Sequence, residues 1–113
     1  MYEVLSDLNR TSGVTGSMLV GNDGIVIAAD LDTAFDSDTI GALAASITSN
    51  IQKSLDRLET EPLKQVTIEA ANGKLFFAEA GLGILVVTAE QTVNVGLIRL
   101  EIRNAIDKLR IAG

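Results

Sequence analysis

Gly81-Leu82-Gly83-Ile84-Leu85-Val86-Val87-Thr88 is the stretch that decides the fold. Its two glycines mark a turn, and the residues that follow are apolar in unbroken succession, so a strand over 84–88 is apolar on both faces. Such a strand is stable only when a layer covers each face. It is therefore predicted to be central in a sheet, with helices above and below.

Working outward toward the N-terminus, Lys74 to Ala80 reads as a partner strand. Asn72-Gly73 reads as a tight hairpin turn, because both residues tolerate positive φ. Leu63 to Ala70 alternates, with Val66, Ile68 and Ala70 on one face and Gln65, Thr67 and Glu69 on the other. That single polar face places it at an edge. Pro62 closes the connection from a long helix that ends near Leu58. The helix carries an apolar stripe of Ile40, Leu43, Ala44, Ile47, Ile51, Leu55 and Leu58. It is capped by Asp36 or Ser37. A polar loop precedes it, interrupted by Leu31, Ala34 and Phe35.

Further upstream, Gly16 to Val20 and Ile25 to Ala29 form a hairpin about the Gly21-Asn22-Asp23-Gly24 turn. Residues 1 to 9 place Met1, Val4, Leu5 and Leu8 on one helical stripe, ended by Gly13 and Gly16. Downstream, Val93 to about Ile111 is a helix with Val95, Ile98, Ile102, Ala105, Ile106 and Leu109 on one face. Its second stripe, Leu97, Leu100 and Ile111, is expected to pack on the N-terminal helix, with partner contact as the alternative. The order is α-β-β-α-β-β-β-α. Short turns make neighbouring strands antiparallel, giving an α/β (α+β) three-layer sandwich around a five-stranded sheet. The 113 residues suit one domain spanning 1–113.

Composition excludes several chemistries. Cysteine and histidine are both absent, which removes disulfides, thiolate metal sites, the commonest general base and the commonest metal ligand. The net charge of −6, with nine scattered Lys and Arg residues, argues against nucleic acid and against an anionic membrane surface. No segment approaches the roughly 20 apolar residues of a membrane span. Glu3 and Asp7 in the first turns do not suit a secretory signal, so a cytoplasmic protein is expected. No phosphate loop or dinucleotide fingerprint is present. Asp30, Asp32, Asp36 and Asp38 cluster, but Ala34 and Phe35 stand where a calcium loop needs a ligand and a glycine. Arg57, Arg99, Arg103 and Arg110 are nominal arginine-finger candidates and nothing more. No catalysis, metal or cofactor is expected.

Two features exceed an ordinary core. No charge occurs from Thr39 through Gln52, and the face of the long helix opposite its stripe carries Ala42, Ala45, Ser46 and Ser49. A wetted helix surface normally carries Lys and Glu. Small residues admit a second backbone, so the face fits a two-fold contact with the same helix of a twin. A loop of the same chain, or a merely Ala-rich surface, would also account for it. The strand 63–70 offers an unpaired edge beside that helix, which pairing with its symmetry mate would cover; alternatively Lys64 and Glu69 simply guard it. The candidate interface residues are Ala42, Ala45, Ser46, Ser49 and Lys53 on the helix, and Lys64, Val66 and Ile68 on the strand.

The pattern resembles the Roadblock family of dynein light chains and bacterial MglB proteins. The likeness lies in the Met18-Leu19-Val20-Gly21-Asn22-Asp23-Gly24-Ile25-Val26-Ile27-Ala28 hairpin and the Ile40-Gly41-Ala42-Leu43-Ala44-Ala45 helix. Val66-Thr67-Ile68-Glu69 with its Asn72-Gly73 turn, and Gly96-Leu97-Ile98-Arg99, extend it over essentially the whole chain. The resemblance implies a profilin-like fold of strand order 2-1-5-4-3 and a homodimer built on the long helix and third strand. It also implies a small Ras-like GTPase as partner, regulated without an arginine finger, although the chain lacks the C-terminal extension of some MglB proteins. A scaffold with no effect on GTP turnover is the competing expectation. A small-ligand sensor is a third, for which the sequence offers no convergent polar pocket.

Overall fold

The structure, a computed structural model, describes residues 1–32 and 34–112, with side chains described through Arg110. The elements are α1 (Tyr2–Asn9), β1 (Val14–Val20), β2 (Val26–Asp30), α2 (Ser37–Arg57), β3 (Gln65–Ala70), β4 (Gly73–Glu79), β5 (Ile84–Ala89) and α3 (Val95–Ala112). The strands form one antiparallel sheet of order β2-β1-β5-β4-β3. The doubly apolar β5 is central, as its sequence requires, with Val86 between Met18 of β1 and Phe77 of β4.

Alternation along the strands divides the core. Leu85 and Val87 of β5, Phe76 and Ala78 of β4 and Leu19 of β1 face α1 and α3, where Val4, Leu5, Leu8, Ile98, Ile102 and Leu109 cover them. Ile84, Val86, Met18, Val20 and Phe77 face the other way, toward Ala44 of α2. Each fully buried large apolar side chain contributes about 1.5–3 kcal/mol relative to exposure. Polar ties fix α1. Ser17 is buried on β1, with Oγ 2.7 Å from Asn9 Oδ1 and 3.2 Å from the Leu5 carbonyl. Asn9 Nδ2 donates to the Asp30 carbonyl at 2.9 Å. Asp7 also reaches across to α3, 3.9 Å from Lys108 Nζ.

Several local expectations are corrected. The first strand begins at Val14, two residues before the expected Gly16, and α1 ends at Asn9, ahead of both Gly13 and Gly16. Ile25 is exposed and precedes β2. Ala70 pairs directly with Gly73, so the β3–β4 turn is Ala71-Asn72, and neither Asn72 nor Gly73 takes positive φ. Gly73 answers a different need: a Cβ there would stand 3.0 Å from the Ala89 carbonyl oxygen of β5. Leu97 and Leu100 are exposed and do not pack on α1; α1 and α3 meet instead through the cluster holding Val4, Leu8, Ala105 and Leu109. The side chain of Ile111, the third member of that stripe, lies outside the described residues.

Candidate interaction surface

The long helix starts where Asp36 caps it. The Asp36 carboxylate accepts from the Asp38 N–H at 3.1 Å and the Thr39 hydroxyl at 2.9 Å. The Thr39 hydroxyl first, and then the Asp38 N–H, hold this carboxyl below its ordinary value. The helix sits close to the sheet because its contact residues are small. Gly41 and Ala44 are its buried positions, and a Cβ on Gly41 would stand 3.0 Å from the carbonyl oxygen of Gly24. Gly24 itself takes φ +86° in the β1–β2 turn, where glycine is favoured. Thr48 tolerates half-burial beneath the helix by donating to the Ala44 carbonyl at 2.8 Å.

This seating rotates the helix relative to its sequence stripe. Leu43 and Leu58, expected in the core, are 51% and 70% exposed. Ala45, expected on the outward face, is half-buried against the α2-side core. Ala42, Ser46, Ser49 and Lys53 are exposed. The signal missed in the sequence was Gly41 with Thr48 and Gln52, residues that an apolar stripe omits.

Two flanks of α2 differ. On one, Ala45, Ser49 and Lys53 meet Lys64 and Leu63 across a cleft of about 310 Å³, with Phe77 and Ile84 also lining it. Gln52 ties the helix to the approach of β3: its Oε1 accepts from the Leu63 N–H at 2.8 Å and its Nε2 donates to Asp56 at 2.8 Å. On the other flank Ile47 is half-buried, as are Val66 and Ile68 of β3 and Leu75 of β4, each packed against the α2-side core. Leu43 lies one turn before Ile47 on this flank. Beside them, β3 ends the sheet with an unpaired edge. The structure thus brings Ala45, Ser49, Lys53 and Lys64 to one cleft, leaves Val66 and Ile68 half-buried outside it, and leaves Leu43 exposed on the flank of α2 away from it. Ala42 and Ser46 join neither and lie on the open face of α2.

Among the described residues, no three His, Cys, Asp or Glu side chains gather as metal ligands. Also among them, no helix is long and apolar enough to cross a membrane. Arg57 is exposed at the end of α2, while Arg99 is partly held by its Nη2 donating to Thr67 Oγ1 at 3.3 Å. The surface offers shape, apolar area and a free strand edge, which suit binding.

Solved structures share this architecture. A Roadblock/LC7 domain from Streptomyces avermitilis superposes with a TM-score of 0.91 at 25% identity, covering 99% of this chain and 96% of that one. Myxococcus xanthus MglB superposes with a TM-score of 0.88 at 22% identity, covering 95% and 89%. Profilin II of Acanthamoeba castellanii gives 0.59 at 19% identity, covering 88% and 86%, so the fold is profilin-like. In sequence, the uncharacterized protein MJ0714 of Methanocaldococcus jannaschii is 42% identical over 107 residues, 95% of this chain and 91% of that protein. The Roadblock/LC7 domain model matches residues 1–89, from α1 to the end of the central strand. With that match over most of its length, the chain belongs to the Roadblock/LC7 domain family.

Proposed function

We propose that this protein is a homodimeric, non-catalytic regulator that binds a small Ras-like GTPase and biases its nucleotide state. One observation carries the reading: on the α2 side, a half-buried apolar border lies directly beside an unpaired strand edge. That border comprises Ile47 of α2, Val66 and Ile68 of β3, and Leu75 of β4, with exposed Leu43 one turn before Ile47 on the helix. Two-fold pairing of β3 with its symmetry mate would satisfy the edge and bring the second α2 against this border. The exposed small residues Ala42, Ser46 and Ser49, with Lys53, then form the outward surface of a helix pair. Family membership and the resemblance to MglB proteins supply the partner class. The mechanism needs no proton transfer. A dimer that binds two switch conformations with affinities differing by about 1–3 kcal/mol shifts the GTPase about 5–150-fold between them.

The dimer is tested at Leu43, whose exposure allows substitution without damage to the protomer. Leu43→Glu is expected to convert dimer to monomer in sedimentation equilibrium; an unchanged mass removes this interface. Ala45 is the poorer test, because it packs against the sheet and a charge there would strain the protomer itself. The regulatory step is tested by GTP hydrolysis and nucleotide exchange of a small Ras-like GTPase from the same genome, with and without this protein. Binding that changes neither rate makes the protein a scaffold.

A further inference from the structure

The opposite side of the sheet holds a second groove, of about 450 Å³, between the start of β3 and α3. Its apolar lining includes Ile102 and Ile106 of α3, and its cationic lining is Lys64, Arg99, Arg103 and Arg110. The protein carries a net charge of −6 with nine Lys and Arg residues, so four of its nine cations converge on one groove. Among the described residues none of the four is in an ion pair; the pairs formed there use Arg10, Lys74 and Lys108. Two carboxylates share the groove. Glu79 accepts from the Gly81 N–H at its own turn and keeps its charge, so Glu79 and Asp107 together offset two of the four cations and the groove stays net positive. Gln65, also lining the groove, has its Nε2 buried with no hydrogen-bond partner. An amide donor in that state costs about 1–3 kcal/mol.

We propose that this groove docks a short acidic segment of a partner protein, with one apolar residue of that segment seated on Ile102 and Ile106. Arginine is suited to the task, because its planar fork binds a carboxylate through two parallel hydrogen bonds and its weaker hydration lowers the cost of burying the contact. The apolar lining favours a peptide over a nucleic acid, whose repeating phosphates would meet an overall anionic molecule. The groove opens on the α3 side of the sheet, away from the outward surface of α2, and shares Leu63 and Lys64 with the α2-side cleft; the peptide-binding readout tests it separately from the GTPase reading.

The test selects random peptides displayed on phage against the full-length protein and measures the enriched sequences as fluorescent synthetic peptides. Enriched peptides are expected to carry Asp or Glu beside one large apolar residue. Their affinity is expected to fall about tenfold or more in Arg99→Glu/Arg103→Glu and to weaken with added salt. Arg99→Gln/Arg103→Gln, which removes charge without reversing it, should give a smaller loss, and Arg57→Glu, on the far side of the sheet, none. Circular dichroism establishes that each variant is folded. Selection that enriches no peptide, enrichment without acidic residues, or equal binding by the Arg99/Arg103 variants would overturn the proposal.

Discussion

The two faces of the sheet are covered to different degrees. Beneath α1 and α3 the core residues are buried across most of the sheet, including Phe76, Leu85, Val87, Ile98 and Ile102. Beneath α2 only the centre is closed, by Met18, Val20, Phe77 and Val86, while Val66, Ile68, Leu75 and Ile47 remain half-buried at its margin. Two helices suffice for one face of a five-stranded sheet, and one helix does not suffice for the other. The uncovered strip runs to the free edge of β3. The difference teaches that closure is separated between the faces: the α1/α3 face is largely closed within the protomer, and the α2 face keeps a half-buried apolar margin beside β3.

The separation is open to test by substitution. The largest effect is expected on the closed face, where Phe76→Ala leaves a cavity that α1 and α3 cannot fill; it should cost about 3–5 kcal/mol in urea unfolding. A loss below about 1.5 kcal/mol would mean that this face is not the anchor. A smaller effect, of a different kind, is expected at the open margin. Ile68→Ala should cost about 1 kcal/mol when measured at low protein concentration and more at high concentration, because a second copy that covers Ile68 adds its binding free energy to folding. A cost independent of concentration would break the assignment of that margin to self-association. The smallest effect concerns the entry to α2. The Asp36 carboxyl is held below its ordinary value of 3.8 by Thr39 first, then the Asp38 N–H. Its contribution is therefore present above the unfolded value and lost as pH falls through the lower folded value. Asp36→Asn, which keeps a capping oxygen, should leave stability near neutral pH almost unchanged and flatten the acid limb of the stability curve below about pH 4. An acid limb identical to wild type would show that this cap does not titrate with folding.

Much of the fold was legible because it rests on local rules. The unbroken apolar run Ile84 to Val87 could only be central, and the alternation of Val66, Ile68 and Ala70 against Gln65, Thr67 and Glu69 could only be a strand with two unlike faces. Asp36 was legible as a cap for the same reason. The surface was harder to read. Leu43 has the side chain of a core residue and Ala45 that of a neutral spacer, yet their positions are exchanged relative to expectation, because Gly41, Ala44 and Thr48 set how α2 sits. The groove along α3 was not legible at all. Lys64 stands 35 positions before Arg99 in the chain, and only the fold makes them neighbours.

The sequence by itself determined which segments become helices and strands, which strand lies in the middle, and that one helix lacks charge over most of its length. Those properties follow from side-chain periodicity and backbone preference, which act within a few residues. The tertiary structure alone decided how α2 is rotated on the sheet, which apolar side chains are left half-covered beside β3, and which cations converge beside α3. Those depend on close contacts between distant segments, such as the approach of Gly41 to Gly24, where a single added carbon would change the angle at which two elements meet.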